Sequence, residues 1–359
     1  MKFKLKKSYM EDLELFEYKS DMVWYGAILL FLVLFPVWAG NYWTYNLTLA
    51  GVYCIAALGL NILTGYTGQI SLGHAAFFAI GAYTVGYMTS ILGLSYWLAL
   101  PLAGVNSALI GLIVGLPALR LTGIYLAIAT MSFAFIIEHV IIEWPSVTGG
   151  ANGLIINRPS IGGWSLNTDA SYYYLVLIMV VLFVLLTKNI IRTPPGRALV
   201  AVRDSEVAAQ TMGIPLAKVK TQAFALSAFY TGIAGALFAP LINFIGPDNF
   251  TIMESINFIV MIIVGGAASI HGSIFGAIFI TLLSEFIRVG KDALPTFMQQ
   301  QVGFQGAVYG LIIMVFILFE PMGLYGRYLK LKYLFEVFPL YRKDTFRREK
   351  KFQKTERTR

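Results

Sequence analysis

The residues of this 359-residue chain that could do acid–base or metal chemistry are few: His74, His139, His271 and a small number of acids beside long apolar runs. No two histidines have metal-ligand spacing, which argues against a metal site. Glu138-His139 stands near the end of one apolar run and Glu285 near the end of another. Such residues suit a proton relay or side chains reaching out to the membrane interface. No G-x-x-x-x-G-K-[ST] phosphate loop is present, because Gly290-Lys291-Asp292 lacks the upstream glycine and the hydroxyl residue. The single Cys54 excludes an internal disulfide or thiolate metal site. No catalytic residue, metal site or cofactor of the chain's own is expected.

Two polar clusters look more like contacts than catalysts. Gly65 to His74 packs three glycines with Thr67, Gln69, Ser71 and His74 into ten residues. Broken backbone at membrane depth is tolerated only where it is buried in protein or lines a cavity. The segment therefore reads as a discontinuous helix beside a path, with Gly68, Gln69, Ser71, Gly73 and His74 facing it. A plain turn before a small-residue packing helix reads equally well. Thr148, Gly149, Gly150 and Asn152 form the second cluster, either an anion-binding nest or a turn that needs no ligand.

The elements that must position these residues are membrane helices. The chain is 57% hydrophobic and 13% charged, against roughly 45–50% and about 25% in soluble domains. Ten apolar spans are expected, near 22–39, 45–64, 70–92, 96–119, 121–142, 172–187, 221–244, 255–270, 273–288 and 303–320. Nothing alternates as an outer-membrane barrel would. The fold class is an all-α polytopic bundle with discontinuous helices. Residues 1–21 form a polar head, 22–326 the membrane domain and 327–359 a basic tail.

Charge gives the orientation. Lys188 to Lys220 carries six basic and two acidic residues, and Glu143 to Ser171 one basic and two acidic. The loop 188–220 is therefore cytoplasmic and the loop 143–171 outside. An even span count puts both termini with the basic loop, although Arg288 and Lys291 then fall outside. The tail is read as a membrane or lipid anchor, with no nucleic-acid partner.

Within the basic loop, Thr193 caps a run opened by Pro194-Pro195, and Gly213 closes it with Pro215 beyond. One helix from about Arg197 to Met212 is expected. Leu199, Val202, Glu206, Ala209 and Gly213 recur on one weakly apolar face. The helix could lie on the lipid surface. It could instead dock on a partner, with Ala201, Ala208 and Ala209 allowing close approach and Arg203, Asp204 and Glu206 making charge-assisted bonds. A faint repeat links Ser71 to Ala82 with Ala268 to Phe279, each with a His four residues before a Phe.

GYTGQISLGHAAFFAIGAYT (65–84), LPALRLTGIYLAIATMSFA (116–134), TGGANGL (148–154), PGRALVAVRDSEVAAQTMGI (195–214) and VGGAASIHGSIFGAI (264–278) together resemble the permease subunits of ABC importers for branched-chain amino acids. The match runs from about the second span to the tenth. The resemblance implies a non-catalytic subunit in a prokaryotic plasma (inner) membrane. Its partners would be a homologous second permease, two ATPase subunits holding ATP and Mg, and an extracytoplasmic amino-acid-binding protein. It makes Arg197, Arg203, Asp204, Glu206, Ala208, Ala209 and Gly213 the ATPase-docking residues. Val207 separates Glu206 from the alanines that many importers keep contiguous with it. Gly68, Gln69, Ser71, Gly73, His74, Thr130, Thr148, Gly149, Gly150 and Asn152 become candidates for the substrate pathway. Related importers of urea, short amides or other amino acids, and an ion-coupled carrier, remain alternatives.

Overall fold

The computed structural model describes residues 19–161, 164–292, 303–320 and 322–337. The residues 1–18 of the head and 338–359 of the tail lie outside these. The described chain is almost entirely helical. Its helices are α1 (Lys19–Trp38), α2 (Gly40–Thr67), α3 (His74–Gly86, running into a π-helical turn at Tyr87–Ile91), α4 (Tyr96–Ala118), α5 (Ile124–Glu143), the single turn α6 (Pro145–Thr148) and α7 (Asp169–Arg192). The second half holds α8 (Pro194–Asp204), α9 (Glu206–Thr211), α10 (Leu216–Ile242), α11 (Ile252–Gly265), α12 (Ile270–Asp292), α13 (Phe304–Phe319) and α14 (Gly323–Val337). The strands are two residues each. β1 (Leu154–Ile155) pairs antiparallel with β4 (Phe244–Ile245), and β2 (Ser160–Ile161) with β3 (Trp164–Ser165).

Seven described helices are long and apolar enough to cross a bilayer, and an eighth counts if α13 and α14, bent by 46°, form one broken span. The two remaining expected spans are shorter. Met22–Trp38 is a shorter apolar helix. The stretch 70–92 is not one helix, because residues 68–73 are irregular and α3 proper has 13 residues. A short helix leaves fewer than the roughly 20 apolar residues a bilayer asks for. It is tolerated here because protein covers it: Ala75, Phe77, Phe78, Ala82 and Val85 are all buried.

Helices α2 and α10 form the centre, with 72% and 78% of their most apolar windows buried, against 22% for α5 and 17% for α7. Close approach is built with glycine. A Cβ on Gly81 of α3 would sit 1.9 Å from the Gly232 carbonyl of α10, and one on Gly276 of α12 would sit 1.8 Å from the Met261 carbonyl of α11. Apolar burial gains nothing over lipid tails, so contact of this kind drives helix association in a membrane.

Contacts define two ends of the bundle. At one, Arg203, the irregular segments 68–73 and 266–269, and Met322–Tyr325 come together. At the other, β1–β4, the Ser90 bond to the Ile155 carbonyl and the Trp97 bond to the Ser160 carbonyl meet. A cavity of about 580 Å³ opens there, lined by Asn157, Arg158, Asn167, Asp169 and Asn243.

Candidate functional site

The first break lies between α2 and α3. Gly68 adopts φ +75° and caps α2, a conformation that needs glycine. The chain then turns into the bundle, and its polar groups find partners one by one. Leu72 N–H donates to Thr130 Oγ1 at 3.0 Å, and Gly73 N–H donates to Ser71 Oγ at 3.4 Å. His74 is fully buried, with Nδ1 3.1 Å from Ser71 Oγ and Nε2 2.6 Å from Ser227 Oγ. Whichever ring nitrogen carries the proton, each has a hydroxyl that can donate or accept. Ala75 N–H, one of the orphan donors of the α3 terminus, donates to Ser255 Oγ of α11 at 2.8 Å. Side chains of α5, α10 and α11 therefore hold one helix end inside the bundle.

A second break lies between α11 and α12, and Asn61 of α2 braces it. Its Oδ1 accepts from Ala268 N–H at 2.9 Å and its Nδ2 donates to the Ser269 carbonyl at 3.0 Å. Aligned on its two histidines, the faint repeat does not extend to matching bonds. Ser269 Oγ accepts from the N–H of Gly272, and Ser71 Oγ from that of Gly73, at different spacings along the chain. His271 differs from His74: it lies stacked on Tyr325 and Tyr328, with centroids 5.9 Å away in both cases, and Nε2 meets Tyr25 Oη at 2.7 Å.

The pathway candidates are not equally placed. Gly68 is exposed, whereas Gln69, Ser71, Gly73, His74 and Thr130 are buried against protein. Gln69 Oε1 is buried without a partner. The Thr148–Asn152 cluster sits apart, near β1–β4. Gly149 and Gly150 both have positive φ, as a nest requires, yet Gly149 N–H donates to the Pro145 carbonyl and Gly150 N–H to Thr148 Oγ1. Asn152 and Gly153 N–H donate to the Gly149 and Gly150 carbonyls. These four donors are engaged within the loop, so the geometry is that of a self-satisfied turn.

The basic loop folds as two helices rather than one. Ser205 leaves helical conformation at φ −163° and its hydroxyl accepts from Ala208 N–H, capping α9. Gly213, at φ +81°, ends α9, with Ile214 N–H returning to the Ala209 carbonyl. Leu199, Val202 and Ala209 are buried, so Ala209 packs inward and presents no docking surface. Val207 and Met212 are 74% and 84% exposed, beside exposed Ala208. Arg203 lies over Gly68, its Cγ 3.2 Å from where a Cβ would stand, and reaches toward the Gly65 carbonyl at 3.4 Å. It also pairs with Asp204 at 2.9 Å. Glu206 turns back to Lys220 of α10 at 2.7 Å. Arg197 is exposed and donates to the Arg192 carbonyl.

Sequence reasoning missed Lys220, Ser227, Asn61 and Glu254. Each is a polar residue in or beside an apolar run, a signal that was available for all four. No group of three or more His, Cys, Asp or Glu side chains that could hold a metal ion occurs among the described residues.

Residues 42–318 match the family model described as the branched-chain amino acid transport system / permease component. The chain belongs to this family. The branched-chain permease LivM of Escherichia coli K12 is 35% identical over 286 residues, covering 73% of this chain and 67% of that protein. LivM of Salmonella typhimurium is 36% identical, covering 67% and 62%. The chain thus spans about two thirds of the length of both. A probable LivH permease of Methanocaldococcus jannaschii is 27% identical, covering 76% and 88%. No solved structure gives a significant match. The branched-chain permease family is a transport component, and the apolar helices make this member a multi-pass membrane protein.

Proposed function

We propose that this permease is the membrane subunit of an ATP-driven importer of branched-chain amino acids in a prokaryotic plasma membrane. The observation that carries the reading is the loop 188–220. It presents exposed Val207, Ala208 and Met212 on its outer side. On its inner side Arg203 touches the end of α2 at Gly65–Gly68, and Glu206 is bound to α10. Exposed apolar residues on a wet loop suit a partner's cleft. Their backing by the two central helices gives a push on that loop a route into the bundle.

Counting α1, α2, α3, α4, α5, α7, α10, α11, α12 and α13 gives ten alternating passes, with the basic loop and both termini in the cytoplasm. ATP and Mg would sit on two ATPase subunits docked at α8–α9. A LivH-like second permease would complete the membrane pore. A binding protein would deliver substrate at the opposite end, where the Arg158-lined cavity opens. In this cycle ATP binding closes the ATPases, α8–α9 transmit the closure, and the breaks at 68–73 and 266–269 absorb the resulting change of angle.

The test is purification of the tagged chain from its native membrane in mild detergent, with identification of what accompanies it. Recovery of an ATPase and a second permease supports the proposal. A lone chain or homo-oligomer, reproducibly free of ATPase, sinks it.

A further inference from the structure

Glu254 is an acid the apolar pattern hides. Spans read from hydropathy start at residue 255, which leaves Glu254 as a boundary residue. The structure places it deeper. It stands in the first turn of α11, and Ser255 beside it caps α3 inside the bundle. The Tyr53 hydroxyl faces its carboxylate, and Tyr53 lies near the midpoint of the 28-residue α2. The Glu254 Oε2 accepts from Asn257 Nδ2 at 3.2 Å, and Asn257 Oδ1 in turn accepts from Tyr309 Oη at 3.4 Å. Its Oε1 is buried and accepts no hydrogen bond. Among the described residues no Lys, Arg or His forms an ion pair with it.

A carboxylate inside a membrane bundle costs several kcal/mol unless a donor or cation meets it. The groups around Glu254 are neutral and leave one oxygen open, so the fold supplies the acid without supplying its counter-charge. Beyond the Tyr53 hydroxyl the neighbours are aromatic. Tyr53 contacts Phe78, Phe238 and Phe258 with centroids 6.4, 6.3 and 5.8 Å away. On the far rim of this aromatic group, Tyr83 packs on Phe250 at 5.6 Å, and its hydroxyl is also buried without a partner. An acid with an open oxygen against an aromatic wall suits a molecule with a cationic head and an aliphatic body.

We propose that Glu254 binds the α-ammonium group of the transported amino acid midway across the membrane, with the wall formed by Tyr53, Phe78, Phe238 and Phe258 against its aliphatic side chain. The proposal rests on the importer reading and adds a residue-level site to it. No bond is made or broken. The ammonium donates to Oε1, and the ion pair forms where water is scarce.

The test uses the complete complex with its ATPase and binding protein in proteoliposomes. The unmodified complex is measured first for ATP-driven leucine uptake. Its failure there overturns the importer reading, and this proposal with it, before any substitution is made. Glu254→Gln should then cut uptake at least about tenfold, the loss expected for one charge-assisted bond. Assembly and ATPase activity should stay within twofold. Glu254→Asp, which keeps the charge, should recover part of the uptake even if the amide variant folds poorly. Leucine should raise the Tm of the unmodified detergent-purified complex. Its 2-hydroxy analogue, 4-methyl-2-hydroxypentanoate, should not, and Glu254→Gln should abolish the leucine shift. Uptake and a leucine-induced shift in Glu254→Gln close to the unmodified values, or an equal shift from the 2-hydroxy analogue, would overturn the assignment while leaving the importer reading in place.

Discussion

Lys220, in the second turn of α10, ends 2.7 Å from the Glu206 carboxylate at the start of α9, and its side chain is only 5% exposed. The ammonium is thus desolvated by the bundle while the carboxylate, 42% exposed, still meets water. The pair joins the loop to a central helix rather than pointing its acid at an absent partner. Lys220→Met should leave a hydrated Glu206 at a cost of about 1 kcal/mol or less, the range for half-exposed pairs. Transport should fall more than stability does. Reconstituted Lys220→Met complexes should hydrolyse ATP near the normal rate yet import several-fold less, and Lys220→Arg should import normally. Equal losses of ATPase and uptake would show that the pair serves folding alone.

Arg203 offers a second view of the same linkage. Its aliphatic stem covers Gly68 and its head approaches the Gly65 carbonyl. Gly68→Leu forces a side chain into φ +75° and into the Arg203 stem. Uptake by Gly68→Leu should be lost in a correctly inserted protein. Gly290→Leu, whose Cβ meets nothing within 4 Å, should behave as the unmodified chain does. Similar uptake from both variants would remove the break from the coupling route.

The α3–α10 seam is closed by backbone. Adding a methyl at Gly81 puts carbon 1.9 Å from a carbonyl oxygen that no side-chain rotation can move. Gly81→Ala should destabilise the protein by about 1–3 kcal/mol, as overpacking does. A thermal unfolding scan in detergent should show a clear fall in Tm. An unchanged Tm would mean that the helices separate without penalty.

Asn61 carries two bonds that hold the second break to α2. Asn61→Leu removes the donor and the acceptor together, leaving Ala268 N–H and the Ser269 carbonyl without those partners, at about 1–3 kcal/mol for such buried groups. Proteolysis of the purified protein should sharpen around 266–269 in Asn61→Leu. Resistance equal to the unmodified protein would assign the brace elsewhere.

The glycine cluster at Thr148–Asn152 separates its two readings by substitution. Thr148 Oγ1 lies 2.6 Å from the Ile141 carbonyl and accepts from Gly150 N–H. Asn152 is exposed. Thr148→Val should therefore lower Tm, and Asn152→Ala should leave leucine uptake within twofold. A large loss of uptake from Asn152→Ala alone would restore the nest as a ligand site.

How much of this was legible in the sequence depends on what kind of signal each feature leaves. Long apolar runs announced α4, α5, α7 and α10 because hydropathy needs no tertiary context. The break before His74 was legible through its density of Gly, Ser and Gln. Its depth was not, since that is set by Ser227 and Ser255, far away in sequence. The helix break at Ser205 was masked because Arg197 to Met212 keeps good helical spacing throughout, and only the serine's cap bond divides it. Whether Ala208 or Ala209 faces outward depends on that same break, which rotates α9 relative to α8. Lys220 and Glu254 each lie one residue outside an expected span, 221–244 and 255–270, where polar residues are ordinary. Only the folded contacts draw them inside.

The two-residue ladder between β1 and β4 ties residue 154 to residue 245 across the end of the bundle opposite Arg203, with Ile156 N–H adding a bond to the Asn243 carbonyl. It works as a clasp. The segment after α5 and α6 and the segment after α10 are stitched by backbone, which no side-chain rearrangement can loosen. Whatever parting admits cargo at this end cannot unzip at this seam without breaking the ladder. It must fall along a face that only side chains and lipid hold shut.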